Sequence, residues 1–245
     1  MGSSTFSDSG EKLTQYLINR QLSPNKGPRR GVNKPHLIVI HYTAMKSPKE
    51  ALRRLCNPVH EVSAHYFIEQ GGAVTQLVGE AERAWHAGVG CWGDCCDVNS
   101  SSIGIELCNT GTQPFPKSQI LVLKKLLREL MERWAIPTHG IIGHSDMAPG
   151  RKQDPGRLFD WKNLADEGLA VFRGRSHAQI LPFMKAAKLF GYSISEAEAN
   201  SEEIESLILE AFRQRFRPNA LGPLCNRDIK IISDLGQSYP LIVNS

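Results

Sequence analysis

Histidine, aspartate, glutamate and lysine side chains stand in this chain where they could together perform metal-assisted hydrolysis. The apolar run Ile141-Ile142-Gly143 ends at His144, and a loop rich in proline and glycine then carries Lys152 and Asp154. An earlier run, Leu37-Ile38-Val39-Ile40, ends in the same way at His41. Short apolar runs bounded by turn residues read as buried strands, so each histidine sits where a strand leaves the core. Strand ends on one edge of a sheet converge, and two imidazoles with one carboxylate could then surround a single ion and leave a position open for water. That donor set suits catalytic zinc. It also suits non-haem iron, and the residues alone leave the metal open. Such an ion brings the pKa of a water down to roughly 7 and polarises a carbonyl. Glu106, the one charge inside the apolar run Ser102–Leu107, could take a proton from that water and pass it to a leaving nitrogen. Lys152 could stabilise the oxyanion. These parts describe amide hydrolysis.

Each part also has a structural reading. Histidines at strand ends are often packing residues, and His36, His60, His139 and His177 are read that way. Lys152 and Asp154 could be a solvated loop pair, and Glu106 could face solvent at an edge.

The elements that must position these residues follow from periodicity. His36–His41 is β-branched and apolar on both faces, which predicts a central strand. Ser47-Pro48 opens a helix through Cys56, because serine caps and proline is tolerated in a first turn. Ala64–Ile68 and Ala73–Val78, separated by Gly71-Gly72, predict a hairpin. The loop Val89–Asn99 is long and rich in Gly, Cys and Asp, a composition more often functional than idle in a compact domain. Ser102–Leu107 is a further strand. Ser118–Trp134 carries apolar residues at helical spacing and should cover the sheet on its way to the strand ending at His144. Residues 1 to about 35 are polar and aperiodic and read as an arm or long loop.

After Trp161 the texture changes to three helical patterns. Ile180, Phe183, Met184, Ala187 and Phe190 mark the first; Ile204, Leu207, Ile208, Ala211 and Phe212 mark the second, with Asn200 and Glu203 as a capping-box pair. Ile229, Ile232 and Leu235 mark the third, with Asn226 as its cap. The reading is therefore an α/β fold: a mixed central β-sheet flanked by helices, with a small C-terminal three-helix domain. Its parts are an N-terminal arm (1–33), a catalytic domain (34–172), a linker at 173–176 and a helical domain (177–240).

Composition excludes several classes. A hydrophobic fraction of 41% and a charged fraction of 22% are those of an ordinary globular protein. The net charge of +4 is scattered, so no nucleic-acid footprint is expected, and no apolar run reaches the roughly 18 residues of a membrane span. Met1-Gly2-Ser3-Ser4 reads as a cloning scar without signal-peptide character; a natural leader, lipidated and membrane-anchoring, could precede the chain. Of six cysteines, Cys91, Cys95 and Cys96 cluster, which allows either a local disulfide or free thiols. The spacing does not match a zinc knuckle.

Five segments carry a resemblance. Ile38-Val39-Ile40-His41-Tyr42-Thr43, Ser63-Ala64-His65-Tyr66, Ala84-Trp85-His86-Ala87-Gly88, Asn99–Glu106 and Gly143–Gly156 occur in the order found in the zinc-dependent N-acetylmuramoyl-L-alanine amidases, whose fold is shared with the peptidoglycan recognition proteins. The likeness covers about residues 34 to 165. It implies Zn2+ held by His41, His144 and Asp154, with Glu106 as acid and base and Lys152 as transition-state stabiliser. It implies cleavage of the amide between the muramic acid lactyl group and L-alanine, with peptidoglycan or a muropeptide as substrate. His65, Trp85, His86 and Asn99 are expected to line the substrate groove, although His65 and Trp85 could equally be core. The Cys91–Cys96 loop matches no motif of the family. Ala211–Pro218 resembles the helical peptidoglycan-binding domain attached to some of these enzymes, which points to a polymer-binding enzyme of the periplasm or outer membrane; a monomer is expected. A cytoplasmic recycling enzyme is the alternative location. A non-catalytic peptidoglycan recognition module is the alternative function, but such a protein would be expected to have lost a ligand, and none is missing.

Overall fold

The computed structural model describes residues 18–194 and 201–241. It is a mixed α/β fold with a central sheet flanked by helices. The six-stranded sheet runs β1-β5-β4-β8-β3-β9. Its strands are β1 (Ile18–Arg20), β3 (Leu37–Tyr42), β4 (Tyr66–Ile68), β5 (Val74–Gln76), β8 (Ser102–Leu107) and β9 (Ile141–Gly143). Two small ribbons complete the strand set: β2 (Lys26–Pro28) with β6 (Glu82–Ala84), and β7 (Cys91–Trp92) with β10 (Tyr192–Ser193). The eight α-helices among the described residues are α1 (Pro48–Leu55), α2 (Val98–Ser101), α3 (Lys117–Trp134), α4 (His144–Met147), α5 (Trp161–Ala165), α6 (Phe183–Phe190), α7 (Ser201–Phe216) and α8 (Asn226–Ser238).

Strands β4, β8, β3 and β9 are parallel neighbours, and β4 and β5 form the antiparallel hairpin. β3 lies between two partners, which is why its residues are apolar on both faces. Alternation sorts them. Ile38 and Ile40, with Ile103, Ile105 and Ile141, pack beneath the Leu123, Leu127 and Leu130 stripe of α3. Leu37 and Val39, with Ile142, face the other way into a cluster built from Phe183, Phe190, Phe212 and Ile232. The three C-terminal helices therefore share an apolar core with the sheet face from which His41 projects.

Several local expectations shift. The segment read as a structureless arm contributes β1, parallel to β5, and β2, antiparallel to β6. These two strands, Ile-Asn-Arg and Lys-Gly-Pro, lack the apolar run that marked the other short strands. Arg29 pins this segment by donating to the carbonyls of Ser100, Ser102 and Glu80. α1 is capped by Ser47 as expected, but α8 takes Cys225, not Asn226, as its N-cap. The carboxylate of Asp228 accepts from the Cys225 amide, reaching back over the cap position where an Asn226 side chain would have been needed. Asn200 lies outside the described residues. In the Val89–Asn99 loop, Cys91 and Cys96 form a disulfide and Cys95 is free. The loop also pairs with β10, a strand within the stretch expected to be wholly helical. The pairing is only two residues on each side, Cys91–Trp92 against Tyr192–Ser193.

Phe212 is fully buried in the cluster shared by the tail helices and the sheet. Phe212→Ala should cost about 3–5 kcal/mol. Urea unfolding should still show one transition, coincident by far-UV circular dichroism and tryptophan fluorescence. A separate early melting of helix alone would contradict a shared core.

Candidate metal centre

The parallel register brings the chemistry together. His41 on β3 stands opposite Glu106 on β8, and Ile40 stands opposite Gly143 on β9, which puts His144 one residue past the strand end beside His41. Ligand sites in sheets of this kind form at the carboxyl ends of the parallel strands. His144 opens α4, and the following loop turns back so that the Ser145 amide donates to the Asp154 carbonyl at 2.9 Å. This contact returns Asp154 to the two histidines.

His41 Nδ1 lies 2.9 Å from His144 Nδ1 and 2.9 Å from Asp154 Oδ2, and His144 Nδ1 lies 3.0 Å from the same Oδ2. All three residues are buried. Their opposite faces decide which atoms carry protons. His144 Nε2 is 2.8 Å from the Ala87 carbonyl, which can only accept, so Nε2 holds the proton and Nδ1 offers a lone pair. For His41 the chain is longer. Ser102 donates its hydroxyl to the Val98 carbonyl and so accepts from His86 Nε2 at 3.2 Å. His86 Nδ1 is left to accept from His41 Nε2 at 3.0 Å. His41 Nδ1 therefore also offers a lone pair. Two imidazole lone pairs and a carboxylate oxygen converge on one point, an arrangement that only a cation or a shared proton satisfies. The donor set fits a divalent metal, with both imidazoles oriented from behind as metal-bound histidines usually are.

Burial, and then the neighbouring His144, lower His41 to a pKa of about 4 despite Asp154, so the ring is neutral at physiological pH and free to bind a metal. Burial opposes ionisation of Asp154, yet its contacts with His144 and His41 outweigh this and hold its carboxyl well below the usual range.

These residues floor a cavity of about 470 Å³ that also takes in Glu106, Lys152, Trp85 and His86. Glu106 is half-buried, and its Oε2 is enclosed without a hydrogen-bond partner among the described residues. Burial first, then ionised Asp154, raise its carboxyl to about 8, with Lys152 opposing. Lys152 lines the cavity and acts on both Glu106 and His41 through its charge.

The four expected groove residues divide. Trp85 and His86 line the cavity, whereas His65 and Asn99 stand behind it. The fully buried His65 accepts from the Gly104 amide and contacts the Glu82 carbonyl. Asn99 Oδ1 accepts from the amides of His86 and Ala87, each at 2.9 Å, and so holds the stretch whose His86 ring and Ala87 carbonyl orient the imidazoles of His41 and His144. Gly104 makes room for this arrangement, because a Cβ there would lie 2.4 Å from His86 Cγ. Two charged residues of the cavity lay outside the expected site residues. Arg151 donates to the Ala87 carbonyl at 2.6 Å; its place in the charged loop before Asp154 was the available signal. Arg54 lines the far wall as a basic residue in the last turn of α1.

Two outcomes are expected. His86→Phe keeps the ring but deletes both of its hydrogen bonds, and divalent-metal affinity, read by chelator competition, should fall about 10–100-fold. The second concerns Glu106. Its folded-state pKa lies above the ordinary value, so the stability it contributes is present below pH 4.5 and lost as pH rises towards 8. Metal-free Glu106→Gln should therefore gain Tm over metal-free wild type progressively between those two pH values. A constant or shrinking difference would contradict the assigned cause.

Comparison with known proteins fits this geometry. Residues 31–157 match the N-acetylmuramoyl-L-alanine amidase family. The chain is 30% identical to the N-acetylmuramoyl-L-alanine amidase AmiD of Escherichia coli, over 92% of this chain and 90% of that protein. It is 43% identical to the 1,6-anhydro-N-acetylmuramyl-L-alanine amidase AmpD of Haemophilus influenzae, over 41% of this chain and 55% of that protein. Among solved structures, AmpDh3 from Pseudomonas aeruginosa superposes with a TM-score of 0.77 at 27% identity, covering 98% of this chain and 100% of the other. AmiD from E. coli, in complex with anhydro-N-acetylmuramic acid-L-Ala-D-gamma-Glu-L-Lys, superposes with a TM-score of 0.72 at 27% identity, covering 89% of this chain and 91% of the other. The converging donors, the adjoining carboxyl and these likenesses lead to one conclusion: the chain belongs to the N-acetylmuramoyl-L-alanine amidase family.

Proposed function

We propose that the protein is a zinc-dependent amidase that hydrolyses the bond between the lactyl group of muramic acid and the L-alanine of a peptidoglycan stem peptide. The observation that carries this reading is the convergence of His41 Nδ1, His144 Nδ1 and Asp154 Oδ2 to within 3.0 Å of one another, beside Glu106, whose Oε2 is enclosed without a hydrogen-bond partner among the described residues. Zinc held by these donors would supply Lewis acidity to the scissile carbonyl and to the attacking water. Every other step falls to the chain itself. Glu106, in the same cavity as the three donors, takes the proton from water and returns it to the departing amine. Lys152 offers a positive charge to the oxyanion. Trp85 lends a half-buried aromatic wall on which the substrate can rest.

The AmiD complex holds an anhydromuramyl tripeptide, and the substrate class proposed here is the same: a muramic acid bearing a short stem peptide, soluble or within the polymer. The Cys91–Cys96 disulfide supports an oxidising compartment, and hence the bacterial envelope as the site of action.

With zinc, purified muropeptide should release free stem peptide, detectable by mass spectrometry. Glu106→Ala should abolish this release while leaving the protein folded, and activity that survives would remove Glu106 from its role. Lys152→Ala should lower kcat about 10²–10³-fold with KM little changed. Substrate retained without cleavage by wild-type enzyme would instead identify a recognition module. Elemental analysis separates zinc from iron.

A further inference from the structure

A buried charge cluster lies one layer behind His144. Asp146 follows His144 by two residues in α4, and its side chain and that of Arg215 on α7 are each 1% exposed. Asp146 Oδ2 accepts from the Gly143 amide at 2.8 Å and from Arg215 Nη1 at 2.7 Å, while Oδ1 accepts from the Tyr192 hydroxyl at 2.8 Å. Arg215 Nη2 donates to the carbonyls of Ile141, at 3.1 Å, and Val171, at 3.0 Å. Its guanidinium carbon lies over the Trp161 ring, 4.2 Å from the centroid.

The partners have a pattern. Ile141 begins β9 and Gly143 ends it. One guanidinium holds the first residue directly and the last through Asp146, so the three-residue strand that delivers His144 is gripped at both ends. Among the described residues, backbone pairing of β9 is one-sided, to β3, which leaves the other edge of the strand without a paired strand to fix where its tip points. A planar, bidentate donor suits that task where a point charge would not. A buried ion pair is weak grounds for assigning stability, because desolvation offsets its attraction. A role in orientation accounts for it better.

We infer that Arg215, acting through Asp146, is a positioning residue for the metal ligand His144, so the C-terminal helices form a working part of the metal site. This rests on the zinc reading above.

The test uses the full chain. Arg215→Met alone strands a buried carboxylate and could unfold the protein, so the main variant is Arg215→Met combined with Asp146→Leu, which removes both charges. Arg215→Lys and Tyr192→Phe are milder variants that serve if the double variant does not fold. Zinc affinity is measured by chelator competition, and the His144 Nε2–H proton, bonded to the Ala87 carbonyl, is followed by NMR in zinc-free protein. The double variant should keep a cooperative melt, lose about 10–100-fold in zinc affinity and lose protection of the Nε2–H proton. Arg215→Lys should fall between the double variant and wild type. Unchanged affinity and unchanged protection in a folded variant would overturn the inference, whatever the shift in Tm. Wild type that binds no zinc would sink the amidase reading alone, because the proton signal still decides whether Arg215 orients His144.

Discussion

The register of three parallel strands is the constraint on which the molecule depends. β3 pairs with β8 so that His41 meets Glu106, and with β9 so that His144 emerges at the same level. Side chains alternate between faces with a period of two, so a slip of one residue would turn His41 into the helix-covered core on the opposite side. The apolar residues beneath enforce the register. Ile38 and Ile40 are buried against α3, and Leu37 and Val39 against the C-terminal helices. Packing on both faces thus fixes a chemical geometry at the strand tips.

Convergence alone would not make a metal site. Two imidazoles at this distance could equally share a proton, and their orientation is set by groups that never touch the cavity floor. The stretch Trp85–Gly88 supplies both outer partners, His86 for His41 and the Ala87 carbonyl for His144. Asn99 holds that stretch by its amides, and Gly104 leaves the sheet bare where the His86 ring lies. Hydrogen-bond direction runs outward from the metal point and ends on a backbone carbonyl in both branches. That direction places a proton on Nε2 of each ring and turns Nδ1 inward.

The helical tail belongs to the same logic. Its aromatic residues complete the core on the His41 face of the sheet. Trp92, in the disulfide-closed loop, packs edge-on against Phe190 and Tyr192, and Tyr192 donates to Asp146. The path from loop to tail to the turn after His144 consists of direct contacts. The likeness to AmpDh3 extends over 98% of this chain, so the shared fold takes in the tail as well as His41, His144 and Asp154.

Much of the site was legible in the sequence because its signals are local. An apolar run that stops at a histidine, a lone glutamate inside a strand pattern and a Pro/Gly loop carrying an aspartate each fit within about twenty residues, and the family motifs set them in order. Helix α3 and the strands β3, β8 and β9 were readable for the same reason, through their apolar patterning. What the sequence could not determine lies at long separation or in very short elements. β1, β2, β7 and β10 hold two or three residues each and carry no period. The partner of Cys91, the place of His65 and Asn99 behind the cavity wall, and the cap at Cys225 depend on how the chain returns upon itself. The salt bridge from Arg215 to Asp146 joins residues that no pattern links, and only packing selects it. Sequence by itself determined which atoms could bind a metal. Tertiary structure decided which of their lone pairs face one another, because a neutral imidazole has two nitrogens and only its surroundings choose between them.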